Sequence, residues 1–151
     1  MCVTTSEAPA LTEEEYRRVI EIAVEEAKGK VVKVISALLG ELPDKYRYKV
    51  IFMRRKMEEI LASQKKMLIR RGESTDKVPD EVMAKEFEKH LQKIEAWLEN
   101  QPNMDVLYVT YHEVIANPTE NLRKVNEFLG NILDEAKMIN AIDRNLYRNK
   151  A

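Results

Sequence analysis

Cysteine and histidine are nearly absent: Cys2 is the only cysteine, and His90 and His112 are the only histidines. A disulfide framework needs paired cysteines and a structural zinc site needs a cluster of Cys and His ligands, so both are excluded, and no metal site is expected. Glycine is as sparse. Gly29, Gly40, Gly72 and Gly130 are at least eleven residues apart, so neither a GxGxxG dinucleotide loop nor a GxxxxGK[ST] phosphate loop can be written. Excess charge of one sign is missing too: 25 basic side chains face 26 acidic ones, which removes the electrostatic case for nucleic-acid binding. Long apolar runs are also lacking. The longest stretches without Asp, Glu, Lys or Arg, residues 34 to 40 and 106 to 112, hold seven residues each. A bilayer crossing needs roughly 20. The start, MCVTTSEAPA, has neither a basic region nor an apolar stretch, so no secretory signal is expected and the cytoplasm is the default location.

What is present is an ordinary globular composition, 44% hydrophobic and 34% charged over 151 residues. We read a flexible leader over residues 1 to 10 and one domain over 11 to 151. Thr12 and Glu15 stand at capping-box spacing, and Val19, Ile20, Ala23, Val24 and Ala27 recur at helical spacing, which predicts a helix to about Lys28 with Gly29 as its left-handed cap. The β-branched runs KVVKVIS (30 to 36) and YKVIFM (48 to 53), with VLYVTY (106 to 111), predict three strands. Between them lie helices from Met57 to Arg71, ended by Gly72, and from about Asp80 to Asn100. After the third strand, Asn117 and Pro118 open a helix that Gly130 closes, and a last helix covers about Leu133 to Ile142. Met53, Met57, Met67, Met83 and Trp97 are expected in the core, and His90 at its boundary. Strands alternating with helices predict a parallel α/β sheet with ligands beyond the carboxyl ends of the strands.

Arg54 and Arg55 stand at one such place, between a strand and a helix start, where guanidinium groups and unbonded amides suit an anion. Two solvated arginines would read the same on composition alone. The segment YKVIFMRRKMEEILASQ resembles the part of the sulfotransferases dependent on 3′-phosphoadenosine 5′-phosphosulfate (PAPS) in which a strand ends in an arginine and a serine follows eight residues later. VLYVTYHEVIANPTENLRKVNEFLG resembles the later strand and helix of the same family, and the likeness extends over residues 30 to 150, nearest to the bacterial sulfotransferase-like proteins.

The resemblance implies a partial P-loop kinase-like three-layer fold with three parallel strands and flanking helices. It implies that Arg55 and Ser63 contact the 3′-phosphate of PAPS or of adenosine 3′,5′-bisphosphate (PAP), and that Tyr111 lines the adenine side. Lys33 takes the approximate place of a sulfate-contacting lysine, but no histidine follows it, and His112 stands where the family often has an acidic residue. The family's opening strand, glycine-rich phosphate loop and helix are missing. The resemblance therefore implies a 3′-phosphate half that is inactive alone, with no catalytic residue assigned. A sheet without that strand has open edges, expected around Val31, Val34, Val50, Phe52, Val106 and Tyr108. The alternative reading is a non-enzymatic module that pairs with a second copy or with a separate N-terminal half.

Overall fold

The computed structural model describes Ile22, Gly29 and residues 31–75 and 78–143. The leader and the helix expected over 11 to 28 lie outside these, except that Ile22 is helical and Gly29 has φ +71°, the left-handed conformation its capping role requires. The chain forms two compact units, one from residues up to 50 with 94–105, the other from 51–93 with 106 onward.

Among the described residues the sheet has two strands, β1 (Tyr48–Arg54) and β2 (Met104–Thr110). The amide of Tyr48 donates to the carbonyl of Asn103 at the start of both strands, and Phe52 meets Tyr108 farther along both, so the strands run parallel. The expected third strand, KVVKVIS, is not one. Residues 31–35 have no regular structure, and Ser36–Glu41 coil into a 3-10 turn. Ile35 is extended (φ −71°, ψ 148°), and exposure alternates along 31–38 as it would in a strand. Extended backbone becomes a strand only when a neighbour satisfies its amides and carbonyls, and no ladder takes in this run.

In the first unit the buried apolar side chains are Leu39, Leu42, Val50, Leu98 and Met104. Asn103 organises the entry to β1: its Nδ2 donates to the carbonyls of Tyr46 (3.1 Å) and Asp44 (3.4 Å), while its own carbonyl accepts from Tyr48 (2.8 Å). The Tyr48 hydroxyl donates to the carbonyl of Pro43 at 2.8 Å. Burial first, and the neighbouring Tyr46 and Asp44 next, push this phenol up to about 12.

The second unit holds α1 (Met57–Arg70), α3 (Tyr111–Ala116), α4 (Pro118–Leu129) and α5 (Glu135–Asn140); the long α2 (Asp80–Leu98) begins in it. Its core is Val109, Val114 and Val125, with Ile51, Leu107, Leu122, Leu129, Met138 and Ile142 packed on them. Two helices end as their glycines foretell. Gly72 (φ +68°) and Gly130 (φ +95°) let Glu73 and Asn131 reach back to the carbonyls of Leu68 and Asn126, six-residue loops that require the left-handed turn.

Asn126, buried within α4, brackets the next loop. Its Oδ1 accepts from the Leu133 amide (3.0 Å), and its Nδ2 donates to the Leu133 carbonyl (3.1 Å) and to Glu135 (3.3 Å).

Some details differ from expectation. Tyr111 opens α3 instead of closing β2, and Asn117 precedes α4 without a side-chain cap bond. Met53 is 47% exposed, because residue alternation along β1 turns it away from Val50 and Phe52. Of the apolar edge expected to open, Val31 is 75% exposed, whereas Val50 and Phe52 are buried. No helix among the described residues is long and apolar enough to cross a membrane.

Candidate functional site

The site grows from the carboxyl end of β1. Arg54 is the last residue of β1 and Arg55 the first beyond it, and the two guanidinium groups lie over different rings. Arg54 shares a face with Phe52 and lies over the Tyr108 ring, 4.2 Å from its centroid, with Phe52 on the same tyrosine at 5.5 Å. The Arg55 guanidinium lies over the Tyr111 ring, 4.8 Å from the centroid. The turn after β1 and the turn after β2 thus meet through this cation and ring, beside each other at the same end of two parallel strands.

The arginine is held from below as well. Nε and Nη2 of Arg55 donate to one oxygen of Glu59, Oε2, at 3.2 and 3.1 Å. Glu59 is in the first turn of α1, and its side chain is only 1% exposed, against 29% for Arg55. A carboxylate survives such burial when a cation and hydrogen bonds accompany it, and the Arg55 fork supplies both. Lys56 precedes α1 in extended conformation with no side-chain cap bond, so the helix presents first-turn amides beside Arg55.

Ser63 lies four residues beyond Glu59, one turn up the same face of α1. It is half-buried. Arg55 and Tyr111 are therefore in contact, and Ser63 shares the helix face whose carboxylate holds the arginine. Lys33 is exposed on the irregular segment of the first unit, whereas Arg55, Ser63 and Tyr111 belong to the second. His112 follows Tyr111 on α3, with its Nδ1 buried and without a hydrogen-bond partner. His90 is half-buried on α2.

Glu59 is the residue that the sequence does not single out: two glutamates in the first turn of a helix suit its dipole, and only the i, i+4 spacing from Arg55 hints at a pair. The ring face of Tyr111 under the guanidinium is also spoken for, so a base would not stack on that face.

Chemically this is one fixed cation at the head of a helix, with a hydroxyl one turn beyond the buried carboxylate. It suits a phosphate or sulfate oxygen. No curated protein and no solved structure is significantly similar to the chain. A family model described as the sulfotransferase family matches residues 30–135, which include β1, Arg55, Ser63 and Tyr111. With that match covering more than half of its length, the chain belongs to the sulfotransferase family.

Proposed function

We propose that the chain binds the 3′-phosphate end of PAPS or PAP, with Arg55 as the cation, the Ser63 hydroxyl as a second donor and Tyr111 flanking the adenine. The observation that carries this is the state of Arg55. Its guanidinium is held by Glu59 and Tyr111, yet its side chain keeps 29% of its surface exposed just before α1. When bound, PAPS supplies the sulfuryl group: the bond from sulfur to the phosphate oxygen breaks, one to an acceptor hydroxyl or amine forms, and the acceptor proton passes to a base. The residues of this chain account for one end of that molecule. They hold and orient the 3′-phosphate, which adenosine 5′-monophosphate lacks.

The 5′-phosphosulfate end is unaccounted for, because no glycine-rich loop can be written and no histidine follows Lys33. We therefore propose that these 151 residues alone transfer no sulfate to phenols, alcohols or sugars. Turnover that persists through purification and vanishes in Arg55→Ala overturns this. Binding is tested by thermal shift: PAP should raise the melting temperature more than adenosine 5′-monophosphate does, and equal shifts reject the site. Arg55→Ala should erase the difference, and Arg54→Ala, over a different ring, should leave most of it.

A second reading draws on the sheet itself. Among the described residues each of its two strands has one unpaired side, and strand edges invite pairing with a second copy or with a chain that supplies the N-terminal half.

A further inference from the structure

We propose that Glu59 is the positioning residue of the anion site: it takes one edge of the Arg55 guanidinium and so aims the other edge at the bound phosphate. The inference rests on the anion reading of Arg55. A guanidinium carries five N–H donors in a fixed plane. Two of them, on Nε and Nη2, end on the single oxygen Oε2 of Glu59. The other three, both on Nη1 and the second on Nη2, donate to no other described residue. Two of them, one on each Nη, form the terminal edge, a parallel N–H pair that matches two oxygens of a phosphate.

Three constraints fix that edge. The carboxylate is 1% exposed, so it has little freedom to follow a wandering arginine. It belongs to the first turn of α1, a regular helix of 14 residues, so its backbone is fixed. The guanidinium carbon lies over the Tyr111 ring, 4.8 Å from its centroid, so the ring restrains the group from a second side. An arginine on a strand end ordinarily spends side-chain entropy when it binds a ligand; here that cost is met in the fold, before the ligand arrives.

Charge and position make opposite demands on this glutamate, which makes the proposal testable. A carboxylate beside an anion repels it, so if Glu59 acted only through its field, removing it would tighten phosphate binding. If Glu59 acts by orientation, removing it loosens binding, and an amide that keeps one acceptor oxygen restores part of the loss.

The test measures the preference for PAP over adenosine 5′-monophosphate by calorimetric titration at about 0.15 M salt, where fields beyond about 8 Å are screened. The proteins are the parent, Glu59→Leu, Glu59→Gln and Arg55→Ala. We expect the preference to fall about tenfold in Glu59→Leu, on the scale seen when a residue orienting a ligand-binding group is lost, and Glu59→Gln to lie between it and the parent. A second readout needs no nucleotide: the Arg55 Nε–H signal in nitrogen-edited NMR should be sharp and displaced in the parent, and should collapse to the solvated position in Glu59→Leu.

A preference in Glu59→Leu equal to or above the parent, with Arg55→Ala still abolishing it, overturns the role of Glu59 and leaves the anion site standing. No preference in the parent, or one untouched by Arg55→Ala, overturns the site and this inference together. Should Glu59→Leu not fold, Glu59→Gln decides, and an undiminished preference there overturns the proposal.

Discussion

Arg55 and Glu59 are bonded to each other, yet losing one should hurt far more than losing the other. Arg55→Ala withdraws the arginine from a carboxylate that is 1% exposed, whereas in Glu59→Gln the guanidinium left behind is 29% exposed and can turn to water. Breaking a buried pair by removing one partner costs about 3–5 kcal/mol, and the partial hydration of Arg55 puts this case at the lower end, about 3 kcal/mol. Glu59→Gln buries no charge and keeps an oxygen that accepts from the guanidinium, so its cost is that of a weakened hydrogen bond, about 1 kcal/mol. At about 2–4 °C per kcal/mol for a chain of this size, Arg55→Ala should melt about 6–12 °C below the parent. The double variant, with neither charge, should recover much of that gap. Urea titrations of all four proteins followed by circular dichroism give the coupling directly. Single variants matching within about 0.5 kcal/mol, or Glu59→Gln as the costlier one, would refute the asymmetry.

Other outcomes follow from other parts of the fold. Tyr48, with its hydroxyl pushed up to about 12 from the ordinary 10, should add a late component to the phenolate titration. Its folded value lies above its unfolded one, so the stability it contributes is complete below pH 10 and is lost as the pH rises towards 12; a phenolate absorbance titration lacking a late component, or one unchanged in Tyr48→Phe, would contradict this. Asn126→Ala should destabilise by about 2–3 kcal/mol, because the buried amide holds both backbone groups of Leu133; a loss below about 0.5 kcal/mol in urea unfolding would show that the loop finds other partners. Light scattering should find a dimer or larger species if the open strand sides are used, and a monodisperse monomer with strongly protected strand amides would count against the pairing reading.

Several of these features were legible beforehand, and those that were share a cause. Gly72, Gly130 and Pro118 mark helix limits because their backbone chemistry permits little else there, and the arginine at the strand end was visible for the same local reason. What failed depended on partners. KVVKVIS has strand composition and an alternating exposure pattern, but a strand is a relation between two segments and no second segment lies in a ladder with it. Tyr111 to Ala116 is six residues long, too short for periodicity to announce a helix. Glu59 and Asn126 look like any polar residue on an amphipathic helix, and bonds such as those to Arg55 and Leu133, which the sequence does not show, accompany their burial.

The division into two compact units decides what light can report about this chain. Trp97, the single tryptophan, belongs to the first unit, while Arg55, Glu59 and Tyr111 belong to the second. Tryptophan emission therefore follows the first unit, and tyrosine excitation adds signal from the second. If the two traces separate during denaturation, the chain is unfolding in steps, and a variant at Arg55 will shift one trace while leaving the other in place.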